Sequence, residues 1–522
     1  MKKLSLLFAL LVALFVTSCS DDSKLAKFAE QLPAEADIVA VGDVKTIIES
    51  AGGSLDGDKL TMPAAINREF AENDKKELKE LNNFLSTSGI ELTVGAIVGN
   101  YKDASPVIVF LLKDNEKFAK AIAKQGFKKG KAEGDIEFYT KPMRRNEEYP
   151  EWNSDSYMAI SGSTAYWIPE ADLSDKPGGK EIIKNLIANA KEKSFADTKQ
   201  GEYATKGNAA GVYARFPEEL KQTMAATGLP SDLLAVYDGG VAINSNLDKD
   251  KLALNVKMYD KDGNEFDINK FKEFADYSSE IGSDALELLT KDETLVYAVA
   301  MKNVNWDKYT ELISAAAGMS RVDKAQLNLV TSYLKKIDGT VALGFGLTDG
   351  LNSIKNIQQS NNPLTQFSAT FVVETKDNNA ESVIKELKGL MQRMNVPFTE
   401  TKDGVSLNLQ SLGMPGAVVY LEKHDDFLVL ANHAIAETKD NPVAKHTDIE
   451  KYIAAFGIVL NRDNKLMTDL GINNDVKFLI YGKPNSAEGT FELEIDGEGG
   501  KGVIEKAINI IMGLVDKSRL LN

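Results

Sequence analysis

The chain has 522 residues, with 61 Lys and Arg against 77 Asp and Glu, a formal net charge of −16 and 43% hydrophobic residues. So acidic a surface is ill suited to neutralising phosphates, and no nucleic-acid partner is expected. One cysteine allows no intrachain disulfide, so stability must come from hydrophobic cores, and a chain of this length is expected to build two or more of them.

The first 22 residues carry Lys2 and Lys3, an apolar run over residues 4–15, and the small-residue site Val16, Thr17, Ser18, Cys19. This order predicts a signal peptide over residues 1–18, because the run is too short to span a bilayer and its charge precedes it. Residues 16–19 resemble the lipobox of bacterial lipoproteins. That resemblance implies acylation of Cys19, for example with palmitate, and a membrane attachment held by several acyl chains. Ser20, Asp21 and Asp22 resemble the acidic export signal of Bacteroidetes-type lipoproteins, which implies the outer membrane and its exterior face. Residues 19–31 are expected to be a lipidated tether.

Beyond the tether the sequence repeats itself. Residues 32–37 lead into an apolar run at 38–41, Asp43 and an amphipathic stretch at 44–51. Residues 291–293 lead in the same way into 295–301, Asn305 and a helical stretch at 306–317. Both read as strand, capped turn and helix. The strand at 107–112 and helix at 116–124 correspond to 368–373 and 380–394. Three alternating strands at 136–140, 157–161 and 164–168 correspond to 405–409, 417–421 and 427–430. The strand at 211–216 and helix at 217–227 correspond to 456–460 and 463–470. Strands at 241–244 and 252–258 with a helix at 268–281 correspond to 477–481, 490–495 and a helix at 502–516. The spacing stays near 235–270 residues. We expect an α+β fold built by tandem duplication, with an N-terminal domain over 32–287, a related C-terminal domain over 288–522, and a boundary near 282–293.

Two loops differ between the halves. Residues 141–156 include Arg144, Arg145, Tyr149 and Trp152, a composition suited to a contact surface, and form the candidate binding loop. Residues 348–365 are rich in Asn, Gln and Ser and read as a solvated loop.

Chemistry is sparse. His424, His433 and His446 lack metal-ligand spacing, so no metal is expected. Residues 260–265 suggest a calcium loop, but the register would start at Met258 and end at Asn269, which supply no carboxylates. No Gly-x-Ser-x-Gly elbow or phosphate loop is present, so no catalytic residue or cofactor is assigned.

The lipobox, the acidic residues after it and the entry motif at 32–41 together resemble an uncharacterised family of large Bacteroidetes-type outer-membrane lipoproteins. The resemblance implies an outer-membrane location and a duplicated ectodomain, and no activity. The expected role is non-enzymatic binding of a protein or glycan by a lipid-anchored envelope protein. A carboxylate-based glycan hydrolase and a periplasm-facing structural or assembly factor are the alternatives.

Overall fold

The computed structural model describes residues 23–521 except 57–58, 64–66, 68–71, 104, 146–148, 150–152, 176, 228–230, 317–320, 360–361, 436–439 and 501. Cys19, Ser20, Asp21, Asp22 and Trp152 thus lie outside the described residues. Helices make up 36% and strands 35%, a mixed α+β architecture with antiparallel sheet, as expected. The chain forms two compact units. One takes in the described chain up to Lys221, with Ala235–Glu265 and Gly499–Asp516; the other takes in Gln222–Leu234, Phe266–Glu498 and the residues from Lys517. No helix among the described residues is long and apolar enough to cross a membrane.

The first unit opens with helix α1 (Ser23–Ala29) and strand β1 (Ile38–Asp43). Asp43 ends the strand and accepts a hydrogen bond from the Thr46 amide at 3.1 Å, satisfying a free N–H of helix α2 (Val44–Ser50). A small hairpin of β2 (Ser54–Asp56) and β3 (Lys59–Thr61) and helix α3 (Glu72–Ser88) follow. Then come β4 (Ile90–Gly99), β5 (Val107–Leu112), helix α4 (Asn115–Lys124), β6 (Lys128–Lys129), β7 (Ile136–Arg144), β8 (Ser154–Ser161) and β9 (Thr164–Asp172). Helix α5 (Gly179–Glu192), helix α6 (Lys199–Ala204), β10 (Ala210–Arg215), β11 (Gly240–Leu247) and β12 (Lys251–Tyr259) complete the order.

Pairing runs β6-β7-β8-β9-β5-β4-β1-β10-β11-β12, antiparallel at every step. Strand alternation sends Val39, Val41, Val98 and Tyr166 to one face, where they are buried with Leu25 and Phe28 of α1 and Ile183 and Ile187 of α5. Ile108, Phe110, Met158 and Trp167 go to the other face, under Val44 and Ile48 of α2, Leu81 and Leu85 of α3, and Phe118 and Ile122 of α4.

The second unit runs through β13 (Leu295–Met301), helices α7 (Trp306–Ala316) and α8 (Arg321–Leu334), β14 (Ile337–Leu347), helix α9 (Gly350–Gln359), β15 (Phe367–Thr375) and helix α10 (Asn379–Arg393). It continues through β16 (Thr399–Glu400), β17 (Gly404–Asn408), β18 (Val418–His424), β19 (Phe427–Ala431), helix α11 (Pro442–His446), β20 (Ala454–Leu460), β21 (Asn474–Gly482) and β22 (Glu488–Gly497). Its sheet pairs β16-β17-β18-β19-β15-β14-β13-β20-β21-β22, again antiparallel throughout. Strand for strand, this is the connectivity of the first unit. Its main core sets Val296, Ala298, Ala342, Val372, Val429 and Ala455 against Ile281, Leu286, Leu289, Val443 and Ile449. Helix α12 (Val503–Leu521) ends the chain.

Two local expectations are corrected. Residues 268–281 form one 3-10 turn, Ile268–Phe271, and no longer helix. Asp267 accepts from the Asn269 amide and Asp276 from the Ser278 amide and hydroxyl, side-chain bonds that compete with helical ones. Residues 348–365 contain helix α9, in which Leu351, Ile354 and Ile357 recur at helical spacing despite the polar composition.

Candidate functional site

The candidate functional feature of the second unit is the sheet face opposite its main core. Cross-strand register sets Phe491, Ile480, Phe456, Tyr297, Leu343, Phe371 and Leu430 side by side in one row across β22, β21, β20, β13, β14, β15 and β19. Five of them, Tyr297, Leu343, Phe371, Leu430 and Ile480, are 39–45% exposed. The flanking positions on this face are Leu295, Phe345, Phe478 and Leu493, and Phe478 meets Phe491 edge-on at 5.0 Å between ring centres. A contiguous apolar surface of this kind makes this sheet face a candidate binding face, since exposed apolar residues scattered singly would need no such explanation.

Side-chain size runs against burial. The covered face carries Ala298, Ala300, Ala342, Gly344, Ala455 and Gly457, whereas the open face carries the Phe, Tyr, Leu and Ile side chains. Burying the bulk and exposing the small residues would stabilise the fold more, at about 25 cal/mol per Å² of apolar surface. In the first unit the corresponding face is covered over β5 and β9: Ile108 and Trp167, at the positions of Phe371 and Leu430 in the strand order, are buried beneath α2, α3 and α4, whereas Ile97, Ala40, Val212 and Ile243 in the same row are only half-buried. The connection between β1 and β4 that supplies α2 and α3 has its counterpart in α7 and α8, between β13 and β14. There Ile313, Leu329, Val330 and Tyr333 are themselves exposed.

The row contains no charge, and the Tyr297 hydroxyl is its only side-chain hydrogen-bonding group. Of its seven strands only β22 lacks a partner on each side within the unit, so backbone groups along the row are already paired. A protein partner would find almost nothing to satisfy its polar groups there, while hydrocarbon needs no such partner.

On the covered face lies a buried polar cluster. Glu293, with no side-chain exposure, receives hydrogen bonds from the Thr290 amide at 2.9 Å, the Ser368 hydroxyl at 3.1 Å and the Thr370 hydroxyl at 2.6 Å. His433 Nε2 stands 3.2 Å from Glu293 Oε1 and 3.0 Å from Thr370 Oγ1, and its Nδ1 stands 3.0 Å from the Ala434 carbonyl. A carboxylate and a carbonyl can only accept, so both ring nitrogens are set to donate, and the hydrogen bond to Glu293 raises the His433 pKa. The arrangement is not a nucleophile relay: one nitrogen faces both Thr370 and the carboxylate, and the other is taken by a carbonyl.

Where it is described, the expected binding loop is exposed and its two arginines also bond to their own unit. Arg144 bonds Glu170 at 2.7 Å, and Arg145 bonds the Ser154 carbonyl at 2.7 Å and the Asp155 carboxylate. Tyr149 is 41% exposed. His424 ends β18, with Nε2 3.7 Å from Glu422, and His446 ends α11. Among the described residues no three His, Cys, Asp or Glu converge to hold a metal. In the 260–265 turn, Asp260 Oδ1 accepts from the Asp262 and Asn264 amides, spending the carboxylate on the backbone.

No family model matches the chain, and no curated protein matches it. A solved structure titled "Structure of crystal form IV of TP0453" matches 44% of this chain and 79% of its own, at 10% identity and a TM-score of 0.24, and carries no argument about fold or function.

Proposed function

We propose that this is a non-enzymatic lipoprotein of the cell envelope, anchored in the outer membrane through acylated Cys19 and directed to its exterior by Ser20, Asp21 and Asp22. Its two units are the products of an internal duplication, a reading supported by their identical strand connectivity. The second unit takes up the hydrocarbon part of an amphipathic ligand on its open sheet face. The observation that carries this is the apolar row from Phe491 to Leu430, whose bulk lies on the exposed side. At about 4.8 Å per strand its six steps span roughly 29 Å, ample for an acyl chain from one bilayer leaflet of about 15 Å. A second copy of the chain is a poor occupant, because each copy carries a net charge of −16.

Titration of the Cys19→Ala protein with a fluorescent fatty acid tests the reading. Burying about ten methylenes at ~0.8 kcal/mol each gains about 8 kcal/mol, and an association cost of about 4 kcal/mol leaves a Kd of about 1 mM. The Leu343→Asn/Phe371→Asn variant should lose at least about tenfold. Saturation unaffected by that variant, or no binding at all, would overturn the proposal.

A further inference from the structure

The first unit holds a cavity of about 400 Å³ at one end of its sheet, where β1 begins, β4 turns into β5 and β10 ends, with one wall from α5. Its floor is apolar and buried: Val98, Val107, Ile182 and Leu186. Its rim is polar and already organised. Asp37 accepts from the Tyr101 amide at 3.0 Å and stands 3.5 Å from Arg215. Asn100 accepts from the Asp37 amide at 3.2 Å and donates to Asp103 at 2.9 Å.

Across the cavity stand Asn185 and Asn189, four residues apart and so on one side of α5. Both are exposed, and neither side-chain amide has a hydrogen-bond partner among the described residues. Each therefore offers a donor and an acceptor to a ligand. The charges lining the cavity nearly balance: Glu35, Asp37 and Asp103 against Lys102 and Arg215.

We infer that this cavity is a binding subsite for a neutral saccharide of about one or two rings, a size suited to a pocket at the lower end of the ligand-binding range. Sugar hydroxyls act as both donors and acceptors, which matches paired amides facing carboxylates. The C–H face of a sugar ring suits the apolar floor. A phosphate or other anion would meet three carboxylates against two cations, one of which, Arg215, already faces Asp37, and a hydrocarbon would strand the polar rim. The inference is independent of the open sheet face.

Calorimetric titration of the full-length Cys19→Ala protein with maltose, cellobiose, chitobiose and mannobiose, each to about 10 mM, tests it within the weak-binding range. At least one disaccharide should bind. The Asn185→Ala/Asn189→Ala variant should weaken that binding by about tenfold, the scale of two lost hydrogen bonds, with thermal unfolding unchanged. Binding that Leu343→Asn/Phe371→Asn leaves intact would separate this site from the sheet face and support the inference. No binding by any of the four sugars, equal binding by the double Asn variant, or competition by inorganic phosphate that depends on Arg215 would overturn it. Release of monosaccharide in the same samples, abolished by Asp37→Asn, would overturn it in favour of a hydrolase.

Discussion

Glu293 has no side-chain exposure, and the Nε2 of His433 lies 3.2 Å from its Oε1. His433 also faces Thr370 and the Ala434 carbonyl, with Asp292 near enough to add to the upward pKa shift. The folded-state pKa therefore lies above the ordinary value of about 6.5. The sign follows from linkage: the stabilisation is fully present below about pH 6.5, where the ring is charged in both states, and is lost as pH rises through the folded value. Urea unfolding should show His433→Gln destabilised by about 1–3 kcal/mol at pH 6 and by clearly less at pH 9. An equal loss at both pH values would show that the ring acts by packing alone.

Phe371 and Val372 are neighbours on β15 that face opposite sides of the sheet. Val372 is fully buried and Phe371 is 39% exposed. Val372→Asn should cost about 3 kcal/mol or more, through a buried unsatisfied amide. Phe371→Asn should cost less than about 1 kcal/mol while weakening uptake of the fatty-acid probe. Chemical denaturation of the two variants checks this. A large loss for Phe371→Asn would mean that its ring is part of the core.

The succession of strands along the chain was legible in part, because short apolar runs mark β5, β10, β15 and β20, and alternation marks β7, β8, β17 and β18. Helix entries marked by Asp43, Asp114 and Asn305 were also legible, since each side chain accepts from an amide three residues on. Strands β4 and β14 went unread. Each sits at the centre of its sheet and interrupts its pattern with glycine, Gly95 and Gly99 in one and Gly339, Gly344 and Gly346 in the other. The open face was not legible because Leu295, Tyr297 and Val299 alternate with Val296, Ala298 and Ala300. A strand apolar on both sides reads as buried on both. The signal lay in size, with the smaller residues on one side only. The cavity beside α5 gathers Asp37, Asn100, Asn185 and Arg215 from four separate stretches, and no local pattern predicts that meeting.

Lys506 of α12 is 1% exposed at its side chain and is hydrogen-bonded to Asp250, in the turn between β11 and β12 of the first unit. The Asp250 side chain is 37% exposed, so only the lysine end of the pair is buried. Asp250→Ala should destabilise the first unit by about 1–2 kcal/mol, and adding Lys506→Met should recover part of that loss. Limited proteolysis and urea unfolding of the single and double variants check it. An additive double variant would mean that the two side chains are not coupled.

Cys19→Ala should shift the protein from the detergent phase to the aqueous phase of a Triton X-114 partition, because several acyl chains hold a membrane where none can. Protease shaving of intact cells should digest the wild-type protein if it faces the exterior. Retention of the variant in the detergent phase would overturn the anchor.

The most direct measurement of the central claim is photocrosslinking with a diazirine-bearing fatty acid, followed by peptide mass spectrometry. Adducts concentrated on peptides containing Tyr297, Leu343, Phe371, Leu430 and Ile480, and suppressed by excess unlabelled fatty acid, are the predicted result. Adducts scattered over both units, or unaffected by the competitor, would contradict the claim that the open face binds hydrocarbon.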